Sequence, residues 1–317
     1  MLYDKNDDIL KISVILPAYK TKGHILSVIS LIGNEVQHII VVDDACPLKT
    51  GLFVEDNCSD PRVKVLFNQR NMGVGGAMVT GYKYAIAHDY DIAIKIDSDG
   101  QMNPSLIPDF LRPLIKNGID YVKGNRFFRF GDLSGMPIHR IIGNACLSFL
   151  NKFASGYWHI FDPTNGYTAV KVSSLKKIDL DKIDKRYFFE SDMLYHLGLS
   201  RAVVKDIPMV AVYADEVSGL SAWKNLFPFI WKNFRNSIKR IIYQYYLRDF
   251  SVASLELLLG LCLTFGGVTI GIWRWIDGLY LNVSATGGQV MLAALPIIIG
   301  VQFLISFLNF DIMNEPK

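Results

Sequence analysis

The sequence lacks the cysteine pattern of a disulfide framework or a zinc site. Its four cysteines are Cys46, Cys58, Cys146 and Cys262; they form no C-x-x-C pair, and none has a histidine at zinc-ligand spacing. We therefore expect reduced thiols in a protein that faces the cytosol.

A strong net charge and a secretory signal pattern are also missing. The chain of 317 residues carries a net charge of +3, which is too small to indicate nucleic-acid binding. Residues 1–8 contain three aspartates and lack the basic-then-apolar order of a signal peptide, so we expect the N-terminal part to stay in the cytoplasm. The length allows one large α/β domain with an appendage.

Two stretches near the C-terminus contain almost no charge. Residues 251–272 include one charged residue, Glu256, and residues 288–308 include none. Each stretch is long enough to cross a bilayer, and Glu256 is expected to face another helix or the membrane interface. The only charges between the stretches are Arg274 and Asp277.

The segment before these stretches is basic and aromatic. Residues 222–248 hold six lysines and arginines, no acids and many aromatic side chains, a composition typical of a helix in the headgroup layer. This charge asymmetry predicts that the domain before the segment lies on the cytoplasmic side. The predicted boundaries are 1–221 for that domain, 222–250 for amphipathic juxtamembrane helices and 251–317 for a two-span region.

Three apolar runs in the first hundred residues each end in polar residues. The runs are 12–19, 38–44 and 92–97, and they are rich in β-branched residues. Runs of this kind predict parallel strands that are buried on both faces, and ligands bind where such strands end. We therefore expect the three ends to line one crevice.

Asp97 and Asp99 follow the third run in the sequence Asp-Ser-Asp-Gly-Gln. Two carboxylates at this spacing can converge on one hard cation, and oxygen ligands suit Mg²⁺ or Mn²⁺ better than zinc. Gln101 is a possible further ligand. The same residues are also typical of a solvated turn.

The ends of the first two runs offer groups for a nucleotide. Pro17 and Tyr19 stand at the end of the first run, where a flat ring can stack on a base, and Asp44 can accept a hydrogen bond from a pyrimidine N–H. A turn proline and a helix-capping aspartate are the alternative interpretation. The glycine run 73–77 fits neither the dinucleotide nor the phosphate-loop pattern, and we interpret it as the start of a helix packed closely on the sheet.

Three arginines follow the next predicted strand, 120–124. Arg126 lies at the strand end, where its planar guanidinium suits a phosphate. Arg129 and Arg140 flank a stretch rich in glycine and proline, which predicts a loop that covers an anionic headgroup. An ordinary surface loop with solvated arginines is the alternative.

With these motifs the chain resembles glycosyltransferase family 2, whose members have Pro-x-Tyr, Val-Asp-Asp and Asp-x-Asp strand ends. Residues 97–101, Gly124-Asn125-Arg126 and the two-span tail resemble its polyprenyl-phosphate glycosyltransferases, of the bactoprenol glucosyltransferase and dolichyl-phosphate mannose synthase type. The resemblance covers almost the whole chain. Asp215 and Glu216 stand where many mannose synthases have an arginine, which favours the bactoprenol branch.

The resemblance implies an α/β fold, a GT-A-type Rossmann-like domain with a mainly parallel sheet. It also implies inverting transfer of a sugar from a UDP-sugar to polyprenyl (undecaprenyl) phosphate at the cytoplasmic face of the inner membrane, with glucose as the expected sugar. The expected partners are the nucleotide-sugar donor, the lipid acceptor, membrane lipid and a second copy of the chain through its multi-pass region, with no nucleic acid.

The implied site residues fall into four groups. The catalytic residues are Asp99, Arg126, Asp162 and Glu190; the donor is bound by Pro17, Tyr19, Asp44, Asn71, Asp97 and Arg126; the acceptor phosphate by Arg129 and Arg140; and Mg²⁺ or Mn²⁺ by Asp97, Asp99 and Gln101. Glu190 also stands in the first turn of a predicted helix, where an acid is favourable for the helix dipole alone.

Two rival functions remain open. A processive polysaccharide synthase of the same fold should carry Gln-x-x-Arg-Trp on the cytosolic side, whereas the only Arg-Trp pair, Arg274-Trp275, lies between the predicted spans. The other rival is a catalytically silent membrane protein that uses the domain for binding or assembly. Intact Asp97, Asp99 and Arg126 argue against it.

Overall fold

A computed structural model of the protein describes residues 9–128, 138–209 and 222–317, except for the side chains of residues 139, 140 and 222–225. The chain divides into two compact units. The first comprises Met1–Ser237 with Pro316–Lys317, and the second comprises Ile238–Glu315. This division falls inside a helix, between the two boundaries 221/222 and 250/251 predicted from composition.

The first unit is built on a seven-stranded sheet with the order β3-β2-β1-β4-β6-β5-β7. The strands are β1 (Ile12–Ala18), β2 (His38–Asp43), β3 (Val63–Phe67), β4 (Ile92–Lys95), β5 (Tyr121–Asn125), β6 (Thr168–Lys171) and β7 (Val204–Pro208). Only β6 runs antiparallel to its neighbours, β4 and β5; the other paired strands are parallel. The predicted mainly parallel α/β sheet is therefore confirmed.

Helices cover both faces of this sheet. They are α1 (Ile25–Ser30), α2 (Thr50–Asn57), α3 (Val74–Ala87), α4 (Ile107–Lys116), α5 (Ile138–Ser155), α6 (Val172–Leu175) and α7 (Phe189–Leu199), with 3₁₀ turns at Pro104–Leu106 and Leu180–Lys182. Alternate residues of β1 enter two separate cores, Val14 and Leu16 on one face and Ile15 on the other. This burial on both faces explains the near-continuous apolar runs of the sequence.

The second unit contains two long apolar helices. Helix α8 (Ala222–Ile242) continues into a π-helical segment, Tyr243–Arg248, and is followed by α9 (Val252–Leu281) and α10 (Gly287–Met313). Both α9 and α10 are long and apolar enough to cross a membrane.

Helix α9 is longer than its predicted span. It continues to Leu281 and ends at Asn282, which adopts a left-handed conformation with φ of 52°. Arg274 and Asp277 therefore lie within the helix and not in a connection between spans. Glu256 contacts the neighbouring helix as predicted, since Ser306 Oγ donates to its Oε1 at 2.9 Å.

Candidate active site

The strand ends meet at the Asp97–Gln101 turn. Ser98 Oγ donates to the carbonyl oxygen of Pro17 at 2.6 Å and is hydrogen-bonded to the Thr21 hydroxyl at 2.8 Å, which fixes the turn to the end of β1. Asp99 Oδ1 accepts from the backbone N–H of Gln101 at 3.0 Å. The turn predicted from the sequence is therefore present, and it holds both carboxylates beside the first strand.

A buried lysine lies directly beneath this turn. Lys95, the last residue of β4, has a side chain that is 1% exposed, and its Nζ donates to Asp97 Oδ1 at 2.7 Å and to the carbonyl oxygen of Gly166 at 3.1 Å. Its third partner is Glu190 Oε1, also at 3.1 Å. One ammonium group thus joins β4, the turn before β6 and the start of α7.

The charges of this group shift its pKa values. Burial alone would lower the pKa of Lys95, but Asp97 and Glu190 raise it above its ordinary value, so the ammonium form persists. Burial raises the pKa of Glu190, against the opposing effect of Lys95. The Glu190 carboxylate is thus an ion-pair partner at the site, although the residue stands in the first turn of α7.

Gly166 packs tightly against the same group. A Cβ atom at this position would lie 2.4 Å from Lys95 Nζ and 2.9 Å from Asp97 Oδ2. Only a residue without a side chain allows the backbone to approach the charged pair this closely.

Arg126 and Asp162 form a second ion pair, at the end of β5. Arg126 Nε donates to Asp162 Oδ2 at 2.8 Å and Nη2 donates to Oδ1 at 2.7 Å, a bidentate geometry. Asp162 is fully buried and has a left-handed backbone with φ of 56°. Burial would raise the pKa of Asp162, but the charge and hydrogen bonds of Arg126 hold it below its ordinary value. The structure thus brings two predicted catalytic residues into direct contact.

A second buried lysine, Lys123, supports this pair. Lys123 Nζ donates to the carbonyl oxygen of Phe161 at 2.6 Å and to Asp206 Oδ1 at 3.3 Å. Asp206 Oδ2 in turn accepts from the backbone N–H of Phe161 at 2.9 Å and from Asn125 Nδ2 at 2.8 Å. This network fixes the residues that immediately precede Asp162 and Arg126.

Asp44 holds a loop with its carboxylate. Oδ1 accepts from Asn68 Nδ2 at 2.8 Å and from the backbone N–H of Met72 at 2.9 Å, and Oδ2 accepts from the backbone N–H of Gly73 at 2.7 Å. The backbone N–H of Asp44 donates to the carbonyl oxygen of Ala18 at 3.2 Å, which places it beside the end of β1. Its contact with a base stays a prediction.

The remaining predicted donor and acceptor residues are less enclosed. Tyr19 is 42% exposed just after β1, and Asn71 is exposed in the loop that Asp44 holds. Arg129 lies outside the described residues, as do Asp215 and Glu216, and for Arg140 only its place in α5 is described. The predicted loop over an acceptor headgroup therefore stays a prediction.

The donor set at Asp97 and Asp99 fits a hard divalent cation that also binds substrate oxygens. The Asp97 side chain is 31% exposed, and one of its oxygens is engaged by Lys95. Among the described residues there is no group of three or more His, Cys, Asp or Glu side chains that could enclose a metal ion. Two carboxylates with substrate phosphates completing the shell is a common arrangement for Mg²⁺.

Two residues that the motif analysis does not identify, Lys95 and Lys123, are central to these networks. A signal for both is visible in the sequence, since each lysine interrupts an apolar strand, Ile-Ala-Ile-Lys-Ile and Tyr-Val-Lys-Gly. A buried lysine in such a strand requires acceptors nearby. Their partners could not be named without the fold, because Glu190 and Asp206 are distant in sequence.

Comparisons with known proteins agree with this fold. The "UDP-N-acetylglucosamine--dolichyl-phosphate N-acetylglucosaminyltransferase" of Methanococcus voltae is 29% identical over 218 residues, covering 64% of this chain and 86% of that protein. The "Undecaprenyl-phosphate mannosyltransferase" of Micrococcus luteus is 28% identical over 207 residues, covering 64% and 84%.

A solved structure has a similar fold. Glucosyl-3-phosphoglycerate synthase from Mycobacterium tuberculosis, crystallised with Mn²⁺, uridine diphosphate and glucosyl-3-phosphoglycerate, has a TM-score of 0.52 and 21% identity, covering 72% of this chain and 80% of that one. At this identity the likeness concerns the fold alone, and it confirms the predicted GT-A type. The sequence pattern of "Glycosyl transferase family 2" matches residues 13–179, which is more than half of the chain. The chain therefore belongs to glycosyl transferase family 2.

Proposed function

We propose that this protein transfers a sugar from a nucleotide diphosphate donor to a polyprenyl phosphate at a membrane. The observations that carry the proposal are the two acids Asp97 and Asp99 after β4 and the Arg126–Asp162 ion pair at the end of β5, in a chain with two helices long enough to cross a bilayer. Two relatives whose names specify transfer to dolichyl or undecaprenyl phosphate support the acceptor class.

The donor is proposed to be a UDP-sugar. Glucose is the sugar implied by the motif resemblance, whereas the names of the curated relatives specify N-acetylglucosamine and mannose. UDP-glucose and UDP-N-acetylglucosamine are therefore the first donors to compare, with GDP-mannose as the third.

Asp97, Asp99 and Gln101 are the residues proposed to hold Mg²⁺ or Mn²⁺. When bound, the cation neutralises the negative charge that builds on the leaving diphosphate. Because Lys95 occupies Asp97 Oδ1, Asp97 offers its other oxygen, Oδ2, to the site. Asp99 follows two residues later in the same turn, so the two carboxylates approach the diphosphate from one strand end.

The acceptor supplies its own nucleophile. A phosphate monoester is ionised near neutral pH, so its oxygen can attack the anomeric carbon while the bond to the diphosphate breaks, with inversion at that carbon. No strong general base is required, and positioning with charge stabilisation accounts for the catalysis. Asp162 stays a carboxylate because its pKa is lowered, and its role is to orient Arg126 toward an anion. Arg129 and Arg140 are proposed to bind the acceptor phosphate.

The location is proposed to be the cytoplasmic face of the inner membrane, with α9 and α10 as the spans. Helix α8 supports this location because it exposes Phe227, Trp231 and Phe234, aromatic side chains that suit a headgroup layer. Helix α5 likewise exposes Ile138, Ile142 and Phe149. Assembly into a homo-oligomer stays a prediction.

The test is a radiolabel transfer assay with purified protein in vesicles, undecaprenyl phosphate and each donor in turn. We expect one labelled sugar per lipid phosphate, extractable into organic solvent and dependent on added Mg²⁺ or Mn²⁺. A labelled polymer would identify the processive synthase, and no transfer from any donor would favour the silent membrane protein. Omission of the lipid phosphate is the control.

A further inference from the structure

We infer that Lys95 is a positioning residue for sugar transfer, one that fixes the carboxylate of Asp97 together with the segments around Gly166 and Glu190. This inference rests on the proposed function. Neither the family match nor the names of the relatives assign a role to this lysine.

The first argument is the complete use of its hydrogen-bonding capacity. An ammonium group has three N–H donors and no acceptor. Lys95 Nζ has three oxygen partners: Asp97 Oδ1 at 2.7 Å, Glu190 Oε1 at 3.1 Å and the Gly166 carbonyl at 3.1 Å. These partners come from three separate segments, so the group fixes each segment relative to the others.

The second argument is the cost of burying the charge. Lys95 is 1% exposed and stands between Ile94 and Ile96 in a strand whose other residues are buried and apolar. An apolar side chain would fill this position without the desolvation cost that a buried ammonium carries. The contacts of the ammonium group, and not packing, therefore account for a lysine here.

The third argument concerns the orientation of the Asp97 carboxylate. Because Lys95 engages Oδ1, the carboxylate is held in one orientation, with Oδ2 2.9 Å from the point that a Cβ atom at Gly166 would occupy. Without Lys95 the side chain of Asp97 could rotate. One of its oxygens would then have to be fixed each time a metal-nucleotide complex formed. The expected result of losing Lys95 is a less organised donor site in a folded protein.

Lys123 provides a matched control within the same sheet. It is also 1% exposed and also pairs with a carboxylate, Asp206, but none of its recorded partners is Asp97, Gly166 or Glu190. Lys95→Met and Lys123→Met therefore remove equivalent charges from different networks. If Lys95→Met fails to fold, Lys95→Gln is measured in its place, because glutamine keeps a neutral hydrogen-bond donor at the position.

The experiment measures turnover, Mn²⁺ binding and hydrogen exchange in the full chain. For Lys95→Met we expect kcat to fall by about ten- to a hundredfold, the effect of losing a charge-assisted hydrogen bond. Mn²⁺ binding in the presence of UDP, followed by electron paramagnetic resonance, should weaken at least threefold more than in Lys123→Met. Peptides covering 186–192 should exchange faster in Lys95→Met but not in Lys123→Met.

Rescue distinguishes positioning from a general loss of structure. Lys95→Ala should regain activity and Mn²⁺ affinity when ethylammonium or propylammonium is added, because a free cation can occupy the vacated position. Unchanged or tighter Mn²⁺ binding in Lys95→Met, or an equal loss of Mn²⁺ affinity in the two methionine variants, would overturn the inference. If the wild-type chain transfers no sugar, the proposed function fails, while Mn²⁺ binding and exchange at 186–192 still decide the role of Lys95.

Discussion

Asp99 is the residue on which the metal assignment depends most directly. One oxygen of Asp97 accepts a hydrogen bond from Lys95, whereas Asp99 accepts one from the backbone N–H of Gln101 within the turn. Asp99→Asn removes a ligand charge with almost no change in volume. We expect kcat to fall by at least about a hundredfold, since a Lewis-acid metal contributes several kcal/mol, with the melting temperature preserved.

The measurement is an initial rate in saturating Mg²⁺ or Mn²⁺, compared with Asp109→Asn. Asp109 is an exposed acid in α4 that pairs with Arg112 at 3.5 Å, so its loss removes the same charge from a position outside the site. Full activity of Asp99→Asn at high metal concentration would remove this residue from the metal site.

The Arg126–Asp162 pair gives stability a pH dependence. The pKa of Asp162 is lower in the folded protein than its ordinary value. The unfolded chain therefore binds more protons as the pH falls. The contribution of the pair to the free energy of unfolding is thus fully present above about pH 4 and is lost as the pH falls through the folded pKa of Asp162. We expect wild type to melt at a higher temperature than Asp162→Asn at pH 6, with the gap narrowing as the pH falls toward 3.

Differential scanning fluorimetry in detergent from pH 3 to pH 7 checks this expectation. Asp181→Asn is the control, because Asp181 forms an exposed pair with Lys83 that should contribute little at any pH. A constant gap between wild type and Asp162→Asn over the whole range would mean that the pair does not control acid stability.

At the residue scale, the sequence predicted the carboxylates and Arg126 but not the buried lysines or the pairing of the charges. Asp97, Asp99 and Asp162 stand in turn-forming segments that follow or precede apolar runs, and this position is readable from the sequence alone. The pairing of Lys95 with Glu190 depends on β4 and α7 being adjacent, which only the strand order provides. The same holds for the contact of Arg126 with Asp162, which lie 36 residues apart in the sequence.

At the scale of elements, long apolar periodicity predicted most strands and helices. The antiparallel direction of β6 was not predictable, because Thr168–Lys171 is short and contains β-branched residues, as the parallel strands do. Pro113 lies inside α4 and Pro228 inside α8, so a proline in the sequence did not end either helix.

Within the first unit, polar contacts join the part of α8 that precedes Ile238 to the rest of that unit, which composition alone did not indicate. Asn236 Nδ2 donates to Asp192 Oδ1 at 2.7 Å, Asn151 Nδ2 donates to Asn233 Oδ1 at 3.1 Å, and Lys232 pairs with Asp184. These contacts explain why residues up to Ser237 belong to the first unit, although the basic and aromatic composition of α8 is typical of an interfacial helix.

The contact between α9 and α10 depends on small residues. A Cβ at Gly267 would lie 2.7 Å from the carbonyl oxygen of Ala293, whereas Gly266 has nothing within 4 Å. Close helix packing of this kind is how spans associate in lipid. We expect Gly267→Leu to separate the helices and to lower the melting temperature of the detergent-solubilised protein. Gly266→Leu should change neither the helix separation nor the melting temperature.

Cysteine cross-linking between Gly271 and Ala293 measures the separation, since these positions are in contact. The background is a chain in which the native cysteines are replaced by serine. Efficient cross-linking in Gly267→Leu, equal to that in Gly266→Leu, would show that the close approach is not needed for the hairpin.

At the scale of the whole molecule, the two units are expected to serve different substrates. The strand ends that hold the predicted donor residues belong entirely to the first unit, while α9 and α10 belong to the second. Deletion of residues 249–317 keeps the polar contacts of α8 with Asp192 and Asp184. We expect this shortened chain to bind UDP as wild type does and to transfer to a short, water-soluble prenyl phosphate, but to use vesicle-embedded undecaprenyl phosphate at least about tenfold more slowly.

The deletion also removes Asp311, whose carboxylate is bound by Arg240 Nη1 and Nη2 at 2.8 Å in the second unit. Full-length Asp311→Asn is therefore the matched control, because it breaks the same ion pair and retains both helices. If Asp311→Asn loses vesicle transfer as severely as the deletion, the unpaired Arg240 explains the loss. Equal use of the embedded acceptor by the shortened and full chains would instead mean that the first unit reaches the lipid without the apolar helices. Loss of UDP binding in the shortened chain would place part of the donor site's support in the second unit.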